Sequence, residues 1–213
     1  MRAPAPAPVP SVVLDPVALD GIVRRLATEI STDHPDGVVL VGVLKGAMIF
    51  LADLVRAITS VDVVVDFLAI SRYAPDSGRV RILKDLDIDV SGKDVVIVED
   101  MVDTGLTLAY LLRHLQERGP RSLEVCTLLN RPVRRIVPLE PRYVGEEIPD
   151  IFALGYGLHF SDLYRNVPYV VDADRKVLGD HPDAYVDLLY GQRSAAEAGE
   201  ADGRVTADDS EAP

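Results

Sequence analysis

The segment that most constrains this chain runs Val95-Val96-Ile97-Val98-Glu99-Asp100-Met101-Val102-Asp103-Thr104-Gly105-Leu106-Thr107. Four consecutive β-branched apolar residues read as a strand buried on both faces. Two adjacent carboxylates close it, a third follows three residues later, and Thr-Gly-x-Thr leads into a helix expected over 107–118. In that helix Leu108, Leu111, Leu112 and Leu115 share one face. In open parallel sheets, ligands sit beyond the carboxyl ends of the strands, where this segment places its polar groups. Amides at the helix start form an anion cradle, Thr104 and Thr107 offer hydroxyls, and Gly105 permits a tight turn. Glu99 and Asp100 cannot themselves hold a phosphate; their oxygens suit hydroxyl groups or a hydrated metal. A lone Thr-Gly-x-Thr reads better as an acidic helix cap than as a binding site. Three carboxylates around a phosphate cradle are costly unless hydroxyls or a cation stabilise them, so the whole segment points to a site.

The rest of the chain supplies a matching frame. Val38–Val43, Val63–Ile70 (interrupted by Asp66) and Leu123–Leu129 have the length and β-branched content of strands, and 16–30 and 47–57 read as helices. Strand–helix alternation gives an α/β fold with a central, mostly parallel sheet flanked on both faces by helices. A length of 213 residues suits one domain with a sizeable core. Residues 1–11 are expected to be a flexible Ala/Pro leader and 191–213, with six acids against two bases, an acidic disordered tail; the folded domain is then 12–190. Segment 130–165 is richer in charge, proline and glycine and reads as loops plus short strands.

Composition narrows the function. Asp and Glu outnumber Lys and Arg by 34 to 22, a net charge of -12, which weighs against broad nucleic-acid binding. The single cysteine excludes an intramolecular disulfide and any thiolate metal cluster. No apolar run approaches the ~20 residues of a membrane helix, and the leader lacks an apolar signal core, so a cytoplasmic protein is expected. His34, His114, His159 and His181 are scattered and read as structural or solvent-facing.

The central segment resembles the phosphoribosyl-diphosphate signature of type I phosphoribosyltransferases. Val43-Leu44-Lys45-Gly46-Ala47, Arg81 to Asp87, Tyr143-Val144-Gly145 with Glu147-Ile148-Pro149-Asp150, and Gly155-Tyr156-Gly157 followed by Tyr164-Arg165-Asn166 resemble the hypoxanthine-guanine branch, in the expected order. The resemblance implies the type I fold with a small base-binding hood. It also implies magnesium-dependent transfer of the phosphoribosyl group to hypoxanthine or guanine, in a homodimer or homotetramer. Glu99 and Asp100 would bind the ribose hydroxyls. Asp103, Thr104, Gly105, Leu106 and Thr107 would hold the 5′-phosphate, and Asp103 would exchange a proton with ring nitrogen 7 of the purine. Lys45 and Gly46, after a cis peptide, would meet the diphosphate with Arg165, under a mobile loop carrying Arg72 and Tyr73. Tyr143 would stack on the purine, with the Val144 backbone at its Watson–Crick edge. Asp150 would lie near guanine's amino group and join Glu99 and Asp100 around Mg2+.

Three positions depart from the family pattern. Arg131 stands in place of a lysine expected beside the 6-oxo group, and a guanidinium is a wider, differently directed donor than an ammonium. Arg72-Tyr73 replaces Ser-Tyr, and Glu146 adds an acid beside Glu147. Two alternatives therefore stand beside the hypoxanthine-guanine reading: a transferase acting on a modified purine or other heterocycle, and a phosphoribosyl-diphosphate-sensing regulator with little activity.

Overall fold

Asp15 starts the first helix. Its Oδ1 accepts the Ala18 amide at 2.8 Å, and Pro16 presets φ in the first turn. This helix, α1 (Pro16–Asp33), buries Leu19, Val23, Leu26, Ala27 and Ile30 along one stripe and runs one turn beyond the expected 16–30. The computed structural model describes residues 9–71 and 81–191. Before α1 comes a short strand, β1 (Ser11–Leu14); pairing thus begins at Ser11, the last residue assigned to the leader. Residues 1–8 and 192–213, most of the expected leader and tail, lie outside the described residues.

Next come β2 (Val38–Leu44), α2 (Met48–Ala57), β3 (Val63–Ser71), β4 (Arg81–Lys84), β5 (Asp94–Val102), α3 (Leu106–Gln116), β6 (Ser122–Asn130) and β7 (Tyr143–Glu147). They form a six-stranded sheet in the order β4-β3-β2-β5-β6-β7, parallel throughout except for β4 against β3. Two further strands, β8 (Ala153–Leu154) and β9 (Val170–Asp172), join β1 in a small antiparallel sheet, and α4 (Arg175–Asp180) and α5 (Val186–Leu189) follow. The α/β class and the small accessory sheet are as expected from the sequence.

Alternation along the central strands explains the two-sided core. Leu40, Val96, Val98 and Leu128 face α1 and α2, whereas Val39, Val41, Val95, Ile97 and Val125 pack with Leu108, Leu111 and Leu115 of α3. A buried carboxylate in this apolar frame, on β3, is explained by its bonds. Asp66 of β3 is 6% exposed and accepts the amides of Phe67 (2.7 Å), Asp87 (2.8 Å) and Ile88 (3.1 Å), with Lys84 Nζ at 3.3 Å. It thereby ties the loop after β4 to β3.

Burial works to raise the Asp66 pKa, but the three amides and Lys84 outweigh it and hold the group below the ordinary carboxylate value. A depressed folded-state pKa gives stability that is complete above the unfolded value of about 4 and is lost as pH falls through the folded one. Asp66→Ala, which leaves three amides without their acceptor, is expected to lower the unfolding free energy by about 2–4 kcal/mol at pH 7. Urea unfolding at pH 7 and pH 3 checks this, and the deficit should shrink at the lower pH.

Candidate active site

The two carboxylates of the central motif lie inside β5 rather than after it. β5 pairs with β6 through Val102↔Asn130, so Glu99 and Asp100 sit within the ladder near its carboxyl end, 6% and 4% exposed. The strand expected over 95–98 extends to Val102, because pairing with β6 overrides the polarity of the two carboxylates. Asp100 Oδ1 accepts the Met101 amide at 2.8 Å. Beyond β5, Gly105 takes a left-handed φ of 80°, and α3 begins at Leu106 with its amide 3.4 Å from Thr104 Oγ1.

The neighbouring parallel strand, β2, ends in a turn that packs onto this carboxylate. The Leu44–Lys45 peptide is cis. A Cβ on Gly46 would come within 1.9 Å of Asp100 Oδ2, so no other residue admits this approach. Gly157, at φ 101°, lies on the other side of Gly46; its Cβ would meet the Gly46 carbonyl oxygen at 2.2 Å. Around the turn opens a cavity of about 240 Å3 lined by Lys45, Gly46, Glu99, Asp100, Thr107, His159, Asp162 and Arg165, among others. Asp162 accepts from Arg165 Nη2 (3.0 Å) and faces Lys45 Nζ (3.4 Å); these two cations hold its carboxyl below the usual range. Arg165 Nη1 donates to the Gly157 carbonyl at 2.7 Å.

A larger cavity, about 720 Å3, adjoins the first and holds Asp103, Arg131, Asp150, Ile151, Phe152, Ala153 and His159. Arg131 is buried, and its fork grips Asp103 with both arms (Nε–Oδ1 3.2 Å, Nη2–Oδ2 2.7 Å) while Nη1 donates to the Ile151 carbonyl at 2.5 Å. Bidentate charge-assisted pairing of this kind fixes both side chains. Asp100 and His159 line both cavities. A separate cavity of about 540 Å3, between α1, α2 and residues 166–168, contains none of the motif residues singled out as site candidates.

Two purine-contacting expectations are corrected. Tyr143 is 2% exposed at the start of β7, and its hydroxyl meets Asp33 Oδ2 (3.0 Å), His34 Nε2 (3.2 Å) and Glu124 Oε2 (2.9 Å). Burial first, then these carboxylates, push its pKa up. Tyr143 is therefore a buried structural tyrosine four residues before the carboxyl end of its strand. The Val144 carbonyl accepts from Arg25 Nη2 of α1 at 2.9 Å and does not line the cavity. The aromatic ring that does is Phe152, with the Ala153 backbone beside it. No periodicity marks them, but the rule that ligands sit at carboxyl ends would have favoured residues after β7 over Tyr143. His159 was likewise passed over. Arg72 and Tyr73 lie outside the described residues.

A hard divalent cation takes oxygen ligands. Glu99 and Asp100 supply such oxygens at the smaller cavity and fit that chemistry. Asp150 does not: its carboxylate is held by Arg134 (Nε 2.6 Å) and lies 3.7 Å from Arg131 Nη1, in the other cavity, which corrects its assignment to a metal. Among the described residues no group of three or more His, Cys, Asp or Glu is placed to hold a metal, so most ligands would have to be substrate oxygens and water. Among the same residues no helix is long and apolar enough to cross a membrane.

Comparison with known proteins agrees with this geometry. Residues 15–161 match the phosphoribosyl transferase domain. The chain is 44% identical over 182 residues to the hypoxanthine-guanine phosphoribosyltransferase of Mycobacterium avium, covering 81% of this chain and 89% of the relative. The crystal structure of the Bacillus anthracis hypoxanthine-guanine phosphoribosyltransferase superposes with a TM-score of 0.74 at 40% identity, covering 77% of this chain and 98% of that one. A Trypanosoma cruzi hypoxanthine phosphoribosyltransferase variant complexed with the product IMP gives 0.76 at 34% identity, covering 84% and 97%.

Removal of the Tyr143 hydroxyl separates the structural from the ligand-binding role. Tyr143→Phe is expected to lower the unfolding free energy by about 1–2 kcal/mol in chemical denaturation, with ligand affinity in the larger cavity unchanged in titration calorimetry.

Proposed function

The chain belongs to the hypoxanthine-guanine phosphoribosyltransferase family, and from that premise we propose how its own residues carry the reaction. It transfers the phosphoribosyl group of phosphoribosyl diphosphate to a 6-oxopurine, hypoxanthine or guanine, with release of pyrophosphate, a reaction of purine salvage. The observation that carries the assignment is the meeting of two cavities at Asp100, one around the Lys45–Gly46 turn and one around Asp103 and Arg131.

Each cavity takes one substrate. Lys45, the Gly46 backbone and Arg165 face the diphosphate, the Glu99 and Asp100 carboxylates accept the ribose hydroxyls, and Asp103 to Thr107 hold the 5′-phosphate through amides and the Thr104 and Thr107 hydroxyls. The larger cavity takes the purine on the ring of Phe152, with the Ala153 backbone at its edge. Glu99 and Asp100 would hold Mg2+, which when bound neutralises charge on the diphosphate oxygens. The purine nitrogen bonds to the anomeric carbon as the carbon–oxygen bond to diphosphate breaks, the electron pair leaving with the diphosphate. Asp103 accepts the proton from ring nitrogen 7. Holding both substrates in register and stabilising the departing charge supply the acceleration; no covalent nucleophile is needed.

Asp103 has both oxygens on Arg131, and the lone-pair sites these bonds leave open can accept the hydrogen on ring nitrogen 7. A 6-oxo group accepts from the guanidinium and so competes for the donors that hold Asp103, whereas adenine's 6-amino group offers hydrogens and cannot. The proposal thus gives Arg131 the donor role that the resemblance implied for its position. The proposal extends to a cytoplasmic homodimer or homotetramer whose catalytic domain begins at the paired Ser11 and runs to 190.

A steady-state panel of hypoxanthine, guanine, xanthine, adenine and a deazapurine, each with phosphoribosyl diphosphate and Mg2+, tests the assignment by pyrophosphate release. Turnover with hypoxanthine or guanine and none with adenine is expected; tight phosphoribosyl-diphosphate binding without turnover on any base would favour a sensing role instead. Asp103→Asn is expected to lower kcat by about a hundredfold or more, with little change in the KM for phosphoribosyl diphosphate. Arg131→Lys should retain 6-oxopurine turnover, measured with hypoxanthine at saturating co-substrate.

A further inference from the structure

The two cavities share two residues, and only one of them has a hydrogen to donate. Asp100 offers carboxylate oxygens. His159 is exposed at the same junction and offers a ring N–H. Its orientation is set by the turn that follows it. Ser161 and Asp162 both adopt left-handed φ values, 49° and 61°, which turns the Asp162 amide back onto His159 Nδ1 at 3.1 Å. A nitrogen that accepts a hydrogen bond carries no proton, so the neutral ring bears its hydrogen on Nε2. Asp162 is itself held by Arg165 and Lys45, both in the diphosphate cavity. The chain from Lys45 and Arg165 through Asp162 to His159 ties the ring to the groups that face the leaving group.

We propose that His159 is a catalytic residue of the transfer, donating its Nε2–H to a diphosphate oxygen at the junction as the anomeric carbon–oxygen bond breaks. The proposal rests on the transferase reading above. Its reasoning is positional: the bond that breaks and the bond that forms share the anomeric carbon, which must lie where the two cavities meet. Negative charge grows on the departing oxygen there, and a donor held at the junction stabilises the transition state more than the bound substrate. His159 keeps its proton throughout; the proton released by the purine goes to Asp103. The other shared residue, Asp100, offers acceptor oxygens, so of the two His159 is the one that can donate to the growing negative charge.

The experiment compares the unaltered protein with His159→Ala and His159→Gln in both directions of the reaction, with the purine, phosphoribosyl diphosphate and Mg2+ varied separately. His159→Ala is expected to lose at least about tenfold in kcat, forward and in pyrophosphorolysis alike, with the KM for each substrate little changed. His159→Gln, whose amide nitrogen reaches close to the position of Nε2, should recover most of that loss. The ring is exposed, and thermal unfolding of both variants should match the unaltered protein. An alanine variant with undiminished kcat, or a loss that falls on KM alone, overturns the proposal while leaving the transferase reading in place. An equal loss in Ala and Gln variants, with lowered thermal stability, overturns it in favour of a packing role. No turnover by the unaltered protein would overturn the transferase reading and this inference with it.

Discussion

Asp100 Oδ2 lies 1.9 Å from where a Cβ on residue 46 would stand, and the Gly46 carbonyl oxygen lies 2.2 Å from where one on residue 157 would stand. Three backbone segments, from β5, the turn after β2 and the loop between β8 and β9, therefore meet closely only because two of them lack side chains. The parallel pairing of β2 with β5 (Val39↔Val95 to Gly42↔Val98) sets the height at which the first two come together. The approach of Gly157 then brings the segment carrying His159, Asp162 and Arg165 to the same edge. Both cavities follow from this convergence. Methyl groups at either position would force the segments apart, because the opposing atoms are a buried carboxylate and a backbone carbonyl.

The same edge shows how a buried ion pair serves specificity rather than stability. Arg131 and Asp103 are held in one geometry by two hydrogen bonds, and Ile151 fixes the third arm of the guanidinium. Pairs of this kind, largely removed from water, contribute little net stability, since desolvation offsets most of the attraction. What they fix is position. Under the proposed function, Arg131 also donates to the 6-oxo oxygen of the purine. A lysine would offer that oxygen a compact point charge, whereas arginine's planar fork fixes the direction of its donors.

Much of this was readable from residue order. The run Val95 to Thr107 announced a strand and a following helix, and both appear where expected to within a few residues. Strand ends were misjudged where polarity was taken as a boundary: Glu99 and Asp100 are held in the ladder by β6, which no local reading of β5 could show. Tyr143 misled for a different reason. An aromatic residue followed by Val-Gly looks like a base platform, yet its ring belongs to a polar cluster with Asp33, His34 and Glu124, residues far from it in sequence. Phe152 carries no marker except its place after the end of β7. The family resemblance implied a metal role for Asp150; Arg134, sixteen residues earlier, pairs with it across the fold.

The sequence by itself determined the layers, the parallel sheet and the chemistry of its carboxyl edge, because period, β-branching and the order of acids, hydroxyls and glycine are local properties of the chain. Tertiary structure alone decided which aromatic ring lines the larger cavity, which acid is paired with Arg134 and which histidine stands between the cavities. Those choices depend on groups brought together from distant segments, whose distances and competing charges are fixed only when the sheet's register and the glycine contacts have closed the fold.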